Sequence, residues 1–340
     1  VVETLLERAE RSAWMGAMIA IERSSALQQA ARCDARDRSP TWGPLHGLPL
    51  VVKDNIDVAG MPTTSGSPVL AGHVPQTSAS AIQQLLNAGA VILGKTNLHE
   101  LCFGITSHNA TYGPVRNPYA PDRIAGGSSG GTAAAIAAGL APAGIGSDTG
   151  GSLRIPAALC GVVGFRPTTG RWPSDGVVTI SSTRDTVGPM AHTVADCALL
   201  DAVVCAESSA LAELDLTGVR IGVPKQLFWE TLEPSVERAA QAVLNLLSKA
   251  GVALVECDVG IDSDECTQAG MTVALYESLP CLQKYMASHR LAFNAAKITS
   301  QIASADVRGI FESLLGPQAP TAAAYQHAIH MQRPALRQAY

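Results

Sequence analysis

The sequence predicts an α/β protein in which helices cover both faces of a large central sheet. Short apolar runs of strand length alternate with segments of helical spacing along most of the 340 residues. Hydrophobic residues make up 47% of the chain and charged residues only 16%, a balance typical of a large buried core rather than of a disordered chain. This alternation produces layered folds, because the connecting helices pack against the faces of the sheet.

The predicted strands are short apolar runs bounded by glycine, proline or polar residues. In chain order they lie at 17–21, 48–53, 91–93, 142–146, 161–165, 219–223 and 253–259. The predicted helices have helical spacing of apolar and polar residues, and lie at 3–11, 24–36, 80–87, 98–103, 129–139, 152–160, 193–205 and 235–251. Ser78 or Ser80 is expected to cap the helix that ends at Asn87, Gly251 to end the 235–251 helix, and 39–44 to form a loop. From 263 to the end the chain should be mostly helical.

The segment 124–156 carries two clusters of glycine and serine, GGSSGG at 126–131 and TGGS at 149–152, joined by an alanine-rich stretch. Glycine at this density is entropically unfavourable, so it normally marks unusual backbone dihedrals or a close approach of the main chain to a ligand. Each cluster also presents a hydroxyl. The segment therefore predicts a nucleophile together with its oxyanion hole.

Three familiar motifs fit this segment poorly. The stretch 126–130 matches the G-x-S-x-G elbow of α/β-hydrolases, but 118–123 gives a loop where that motif needs a strand, and no histidine is singled out as its base. The stretch 144–150 resembles a dinucleotide-binding loop, yet Pro156 stands where the phosphate-capping helix should continue. Within this segment a Walker-type loop is excluded, because its glycines are not followed by Gly-Lys-Ser or Gly-Lys-Thr.

A fourth interpretation includes Lys53, the last residue of the second predicted strand. An ammonium group at such a position is unusual, because burial without a partner is costly. With this lysine the sequence resembles the amidase signature family of amide hydrolases over about 43–203. The matching motifs are GLPLVVKD at 47–54, GGSSGG at 126–131, GSDTGGSLRIP at 146–156, GVVGFRPT at 161–168 and GPM at 188–190, with the two key serines 24 positions apart.

The resemblance implies a Ser–Ser–Lys triad. By position, Ser152 is the nucleophile, Ser128 the relay and Lys53 the general base, and a cis peptide bond is expected between Gly127 and Ser128. These roles agree with elementary chemistry, since a serine hydroxyl needs a base and a lysine acts as one only when neutral. The implied fold is an α/β/α layered amidase signature fold with a large central mixed β-sheet, and no metal or organic cofactor.

Further site residues follow from the same resemblance. The backbone N–H groups of Thr149, Gly150, Gly151 and Ser152 would form the oxyanion hole. The side chains expected to hold this loop are Ser129, Asp148 and Arg154. The residues expected in the acyl pocket are Cys102, Phe103, Gly104 and Ile105. A largely apolar pocket would suit an arylacetamide.

The resemblance leaves two kinds of activity open within the family. The segment 165–173 with 182–186 is similar to that of free-standing amidases, which favours hydrolysis of a primary amide such as mandelamide or indole-3-acetamide. The alternative is the glutamine-hydrolysing subunit of a tRNA-dependent amidotransferase. That subunit usually has an arginine-containing Tyr-Asp-Gly motif further along, and here 274–280 stands in a comparable region without the arginine. A binding protein without activity is disfavoured, because all three triad positions are intact.

Composition bounds the partners and the setting. A net charge of −5 without a basic block and only 4% aromatic residues argue against nucleic-acid binding. The eight cysteines form no C-x-x-C pair and no zinc-spaced cluster with histidine, which indicates reduced thiols in a cytoplasmic protein. No apolar run is long enough to span a membrane. A single domain over 1–340 is expected, with a catalytic core at about 43–203. A homodimer is possible, and the first residue, Val1, suggests missing terminal segments.

Overall fold

The computed structural model describes residues 1–35, 42–208, 211, 213–226, 228–260 and 262–339. Part of the predicted loop at 39–44 and the last residue of the predicted helix 24–36 therefore lie outside the described residues. The chain divides into two compact units. The first comprises Val1–Ser209 and Ala274–Ala319, and the second comprises Ala210–Val273 and Pro320–Tyr340.

The described strands and helices alternate as the sequence predicts. The strands are β1 (Met18–Ile21), β2 (Pro49–Lys53), β3 (Val91–Thr96), β4 (His108–Asn109), β5 (Gly113–Pro114), β6 (Ala143–Asp148), β7 (Val163–Gly164), β8 (Thr186–Ala191), β9 (Arg220–Pro224) and β10 (Ala253–Cys257). The α-helices are α1 (Val2–Arg11), α2 (Arg23–Asp34), α3 (Ser80–Asn87), α4 (Gly130–Ala137), α5 (Arg154–Cys160), α6 (Val194–Cys205), α7 (Pro234–Lys249), α8 (Ser263–Ser288), α9 (Ala295–Gln301), α10 (Ala305–Leu314), α11 (Ala322–His327) and α12 (Arg333–Ala339). Short 3-10 turns lie at Ala13–Met15, Pro68–Leu70 and Glu100–Cys102, and a π-helical turn at Ala328–Gln332.

The first unit contains a six-stranded mixed sheet in the order β1-β3-β2-β6-β8-β7. Strand β2 is parallel to both of its neighbours, β3 and β6. Strands β1, β8 and β7 run antiparallel to the strands beside them. Because the central strands are parallel, their carboxyl ends meet at one edge of the sheet, where α/β proteins usually place their ligand sites.

Alternate residues of the central strands enter two different cores, which confirms the layered α/β/α prediction. On one face Val51, Val91 and Leu93 pack among buried residues of α1, α2, α4 and α5. On the other face Leu50 and Val52 pack among buried residues of α3 and α6. Because strand side chains alternate between the two faces, a run such as 50–52 must be apolar on both sides, and this is why it reads as a continuous hydrophobic stretch.

Several local predictions differ from the structure. Strand β8 was not predicted, because its Gly188 and Pro189 are residues that strands disfavour. The N-cap of α3 is Ala79 rather than Ser78 or Ser80, and the Ser78 hydroxyl instead accepts from the N–H of Ala59.

The helix predicted at 98–103 shrinks to one 3-10 turn, because Leu101 and Cys102 adopt positive φ angles of 49° and 66°. The strand predicted at 161–165 keeps only the two residues of β7. In both places the prediction extended regular structure through backbone that turns.

The second unit contains a parallel pair of strands and its own helices. Strand β10 pairs with β9 in register from Ala253 opposite Arg220 to Cys257 opposite Pro224. The predicted amphipathic helix is α7, which is preceded by Glu233 as N-cap and begins with Pro234 at its first turn. In the described parts of the chain, no helix is both long enough and apolar enough to cross a bilayer.

Candidate active site

Lys53 is the last residue of β2 and is fully buried. Its Nζ lies 2.8 Å from Ser128 Oγ and 2.9 Å from Ser147 Oγ, with the Ser147 carbonyl oxygen at 3.5 Å. Ser147 belongs to β6, the parallel neighbour of β2, so the sheet itself brings these two residues together. The structure thus places Lys53 beside Ser128, as the resemblance implies, and adds Ser147 as a second hydroxyl partner.

Burial dominates the protonation of Lys53. It lowers the pKa of the ammonium group, since the charged form loses its hydration, and the opposing effects of Cys102, Asp148 and Asp185 offset this shift only in part. In the described part of the chain no carboxylate forms an ion pair with Lys53. The surroundings therefore favour a neutral amine, which is the form that can accept a proton.

Ser128 follows a cis peptide bond to Gly127. Its carbonyl oxygen accepts from the His99 N–H at 3.2 Å and from the Ser107 hydroxyl at 3.3 Å. A Cβ atom on Gly127 would lie 2.8 Å from Ser107 Oγ, so the close packing of these two segments requires glycine at this position.

Ser129 ties this segment to the following strand and to Ser152. Its hydroxyl donates to the Ser147 carbonyl at 3.1 Å, and its N–H donates to the Ser152 carbonyl at 3.2 Å. Gly146 permits the approach, because a Cβ there would lie 2.9 Å from Ser129 Oγ. Ser129 thus contacts both Ser147 and Ser152, and the supporting role expected of it stays a prediction.

The predicted oxyanion loop 149–152 leaves the carboxyl end of β6 and ends just before α5. Gly151 has a φ of 123°, a conformation that favours glycine, and Ser152 is only 7% exposed. The Gly151 N–H donates to Asp148 Oδ1 at 2.8 Å, so in this structure it is directed at the carboxylate. Within the described residues, the N–H groups of Thr149, Gly150 and Ser152 have no hydrogen-bond acceptor.

Asp148 holds this loop through a dense set of donors. Its carboxylate accepts from the N–H groups of Gly151 and Leu153, and from Arg154 Nε at 3.1 Å. A second guanidinium, that of Arg166, reaches Asp148 Oδ1 at 2.7 Å and also donates to the Asp148 carbonyl oxygen. Burial alone would raise the pKa of Asp148, but these donors outweigh it and lower the pKa, so the carboxylate stays ionised.

Three residues of this site were not predicted from the sequence. Ser147 and Arg166 lie within motifs that carry the family resemblance, GSDTGGS and GFRPT, so their place in those motifs was the available signal. Asp185 lies in the segment before β8, where burial raises the pKa of its carboxyl group to about 6. Its Oδ2 accepts from the Ile180 N–H at 2.7 Å, while its charge acts on Lys53.

The four residues predicted for the acyl pocket have different surroundings. Cys102 is buried, and burial raises the pKa of its thiol while the nearby Lys53 lowers it. Phe103 packs edge-to-face against Phe311 with ring centroids 5.3 Å apart. Gly104 lies against the His99 ring, and Ile105 is 57% exposed.

A cavity of about 990 Å³ lies in the first unit. Its lining includes Thr179, Ser181 and Asp185, but not Lys53, Ser128 or Ser152. Asp185 thus lines this cavity, and its charge also raises the pKa of Lys53.

The comparisons with known proteins assign this chain, with its layered fold and its lysine buried among serine hydroxyls, to the hydrolases that act on amide C–N bonds. Residues 1–339 match the family model described as Amidase. The chain is a member of the amidase family.

Two of the relatives are hydrolases of named amides. The chain is 39% identical to an indoleacetamide hydrolase of Agrobacterium vitis over all of its length and 72% of that protein. It is also 39% identical to a mandelamide hydrolase of Pseudomonas putida, over 93% of the chain and 63% of that protein.

Solved structures show the same likeness. A crystal structure of an amidase superposes with a TM-score of 0.87 at 34% identity, covering 99% of this chain and 74% of that one. A peptide amidase from Stenotrophomonas maltophilia gives 0.80 at 33% identity, over 96% and 74%. A glutamyl-tRNA(Gln) amidotransferase chain from Thermotoga maritima gives 0.71 at 25% identity, over 99% and 71%.

Proposed function

We propose that this chain hydrolyses the primary amide of an arylacetamide through a seryl acyl-enzyme, with Ser152, Ser128 and Lys53 as its triad. The observation that carries the proposal is the setting of Lys53. Its Nζ is fully buried, 2.8 Å from Ser128 Oγ, and surrounded by hydroxyls. A structural lysine at such a depth normally has a carboxylate partner, as Lys95 has in Asp54 at 3.1 Å.

The chemical steps follow from the roles that the family resemblance implies for these three residues. Neutral Lys53 accepts the proton of Ser128, Ser128 takes the proton of Ser152, and Ser152 Oγ forms a bond to the amide carbon. The tetrahedral intermediate then collapses. The proton returns through Ser128 to the amide nitrogen, the C–N bond breaks and ammonia leaves. Water attacks the resulting ester along the same proton path in reverse, which releases the carboxylic acid and restores Ser152.

The loop 149–152 would stabilise the negative oxygen that develops during attack. The N–H groups of Thr149, Gly150 and Ser152 are the candidates, since that of Gly151 is engaged by Asp148. One well-placed donor of this kind contributes about 3–4 kcal/mol to a transition state. Asp148, held by Arg154 and Arg166, would keep the loop in position before substrate arrives.

The choice of an arylacetamide rests on two kinds of support. The relatives at 37–41% identity include indoleacetamide and mandelamide hydrolases. The main chain of Ile105 lies beside Gly127, and the Ile105 side chain is 57% exposed, so an apolar side chain is available near the predicted site. An apolar wall with few polar groups suits an aryl group and gives little binding to the charged end of glutamine.

The test is an amide panel with ammonia detection on the purified chain. Indole-3-acetamide and mandelamide should be hydrolysed, glutamine should not, and intact mass spectrometry during turnover should show an acyl adduct. Ser152→Ala should lose both signals. Ser300→Ala removes an exposed hydroxyl that donates to Lys297 O on α9, and should keep both. An amidotransferase role would instead be supported if glutamine were the one substrate that released ammonia, and if this release required added partner subunits.

A further inference from the structure

A second cluster of ionisable side chains lies in the first unit, apart from the serines and Lys53. Asp57 lies in the segment after β2, His73 in the loop after the Pro68–Leu70 turn, and His289 just after α8. One ligating atom from each of the three lies within 4.8 Å of the other two. His289 Nε2 is 2.9 Å from Asp57 Oδ2, and the rings of His73 and His289 have centroids 4.6 Å apart.

The carboxylate of Asp57 is oriented toward the two imidazoles. The Tyr285 hydroxyl donates to Asp57 Oδ1 at 2.7 Å and lies 3.1 Å from His73 Nε2. The other oxygen, Oδ2, is buried and has no hydrogen-bond partner of good geometry in the described part of the chain, although His289 Nε2 is close. A buried carboxylate oxygen in this state is unfavourable unless something else binds it.

We propose that Asp57, His73 and His289 form a binding site for a divalent transition-metal ion, of which Zn²⁺ is the best match. Two imidazole nitrogens and one carboxylate oxygen are a donor set that zinc uses in proteins. Donor atoms around a tetrahedral Zn²⁺ lie roughly 3.3 Å apart, given bond lengths near 2.0–2.2 Å. Starting from separations of 4.8 Å or less, the three side chains need only small rotations to reach that geometry.

The surroundings suit an ion with an open coordination position. Tyr285 would act as the outer partner that orients the carboxylate ligand, as hydrogen-bonded groups commonly do around metals. All three ligands line the 990 Å³ cavity, so water or an anion could complete the shell from that side. The charge of the buried Lys95 reaches His73, but Lys95 is paired with Asp54. Lys284 and Arg290 line the same cavity and would favour an anionic fourth ligand.

The proposal is tested by titrating the full chain, freed of any purification tag, with Zn²⁺ by calorimetry and with Co²⁺ by visible absorption. One equivalent should bind, and the Co²⁺ complex should show the intense bands of a tetrahedral ion. Zn²⁺ should also raise the melting temperature, and the rise should continue with the logarithm of the free Zn²⁺ concentration above the Kd. His73→Ala and His289→Ala should each weaken binding more than Tyr285→Phe, for which a loss of ~10-fold or more is expected.

The exposed pair His327 and His330 in the second unit provides the matched control. His327→Ala/His330→Ala should leave the stoichiometry and the Co²⁺ spectrum unchanged. If this double variant abolishes binding, or if His73→Ala and His289→Ala both bind like the unmodified chain, the assignment is wrong. Circular dichroism in EDTA shows whether each variant is folded. If His289→Ala does not fold, the comparison of His73→Ala with the unmodified chain decides the test. Absence of any one-to-one binding also overturns the proposal.

Discussion

The two buried lysines of the central sheet should respond oppositely to the same substitution. Lys53 ends β2 and Lys95 lies in the adjacent strand β3, and both are fully buried. Lys95 Nζ is 3.1 Å from Asp54 Oδ1 and donates to Pro62 O and Thr63 Oγ1, each at 3.0 Å. Lys53 Nζ instead lies 2.8 Å from Ser128 Oγ and 2.9 Å from Ser147 Oγ, and among the described residues no carboxylate forms an ion pair with it. Lys→Met keeps an unbranched side chain as long as the four carbons of lysine and removes the nitrogen.

For Lys95→Met we expect a loss of about 3–5 kcal/mol in the free energy of unfolding, because the buried Asp54 carboxylate loses its cation. In the described residues, Asp54 Oδ1 has no other polar partner. For Lys53→Met we expect the stability to stay within about 1 kcal/mol or to rise, since a desolvated amine without an ion pair contributes little. The folded Lys53→Met protein should nevertheless lose roughly 10²–10⁴ of its kcat/KM, the typical contribution of a general base.

The assay pairs urea unfolding, followed by circular dichroism, with ammonia release from indole-3-acetamide. Lys95→Met serves as the control for burial, and its activity is compared per folded molecule. Lys53 is not the base if Lys53→Met keeps its kcat/KM within tenfold. The distinction between the two lysines also fails if Lys53→Met is destabilised as much as Lys95→Met, because Lys53 would then have a structural role like that of its neighbour.

Three further variants test the proposed roles of Ser152, Ser147 and Asp185. Ser152→Ala should fold normally and reduce turnover by at least ~10³-fold, measured as ammonia release, and a residual rate within tenfold of the original would exclude Ser152 as nucleophile. Ser147→Ala should lower kcat by about 10-fold with little change in KM, because one of the two hydroxyls that position Lys53 Nζ is lost; a change in KM alone would contradict this. Asp185→Asn should shift the acidic limb of the kcat/KM–pH profile to lower pH, since the ionised carboxylate raises the pKa of Lys53. In the original chain the folded-state pKa of Asp185 is raised to about 6, so the free energy of unfolding should fall as pH rises from about 4 to 6. Asp185→Asn should lack this fall. An unchanged pH profile would show that Asp185 does not act on the base.

The candidate site was largely predictable because its residues lie in short motifs of fixed spacing. Lys53, Ser128 and Ser152 each sit beside glycines or at the end of an apolar run, and that local signal survives in the linear sequence. Asp185 gave no such signal, since its raised pKa depends on burial that the chain achieves only after β8 is placed. The engagement of the Gly151 N–H by Asp148 was likewise invisible, because it depends on how the loop closes after β6.

The order of residues along the chain was enough to predict the alternation of strands and helices and the two-faced burial of the central strands. Those properties follow from side-chain periodicity, which acts between near neighbours in the chain. The roles of Lys53, Ser128 and Ser152 came from the resemblance of their motifs to a family, and they stay predictions. The contact of Lys53 with Ser147 across two parallel strands, and the pairing of Lys95 with the buried carboxylate, became visible only in the folded chain. The same is true of the approach of Asp57 to His73 and His289, more than two hundred residues away in the case of His289. Contacts of this kind depend on the register and crossing of whole elements, and no local pattern of residues encodes them.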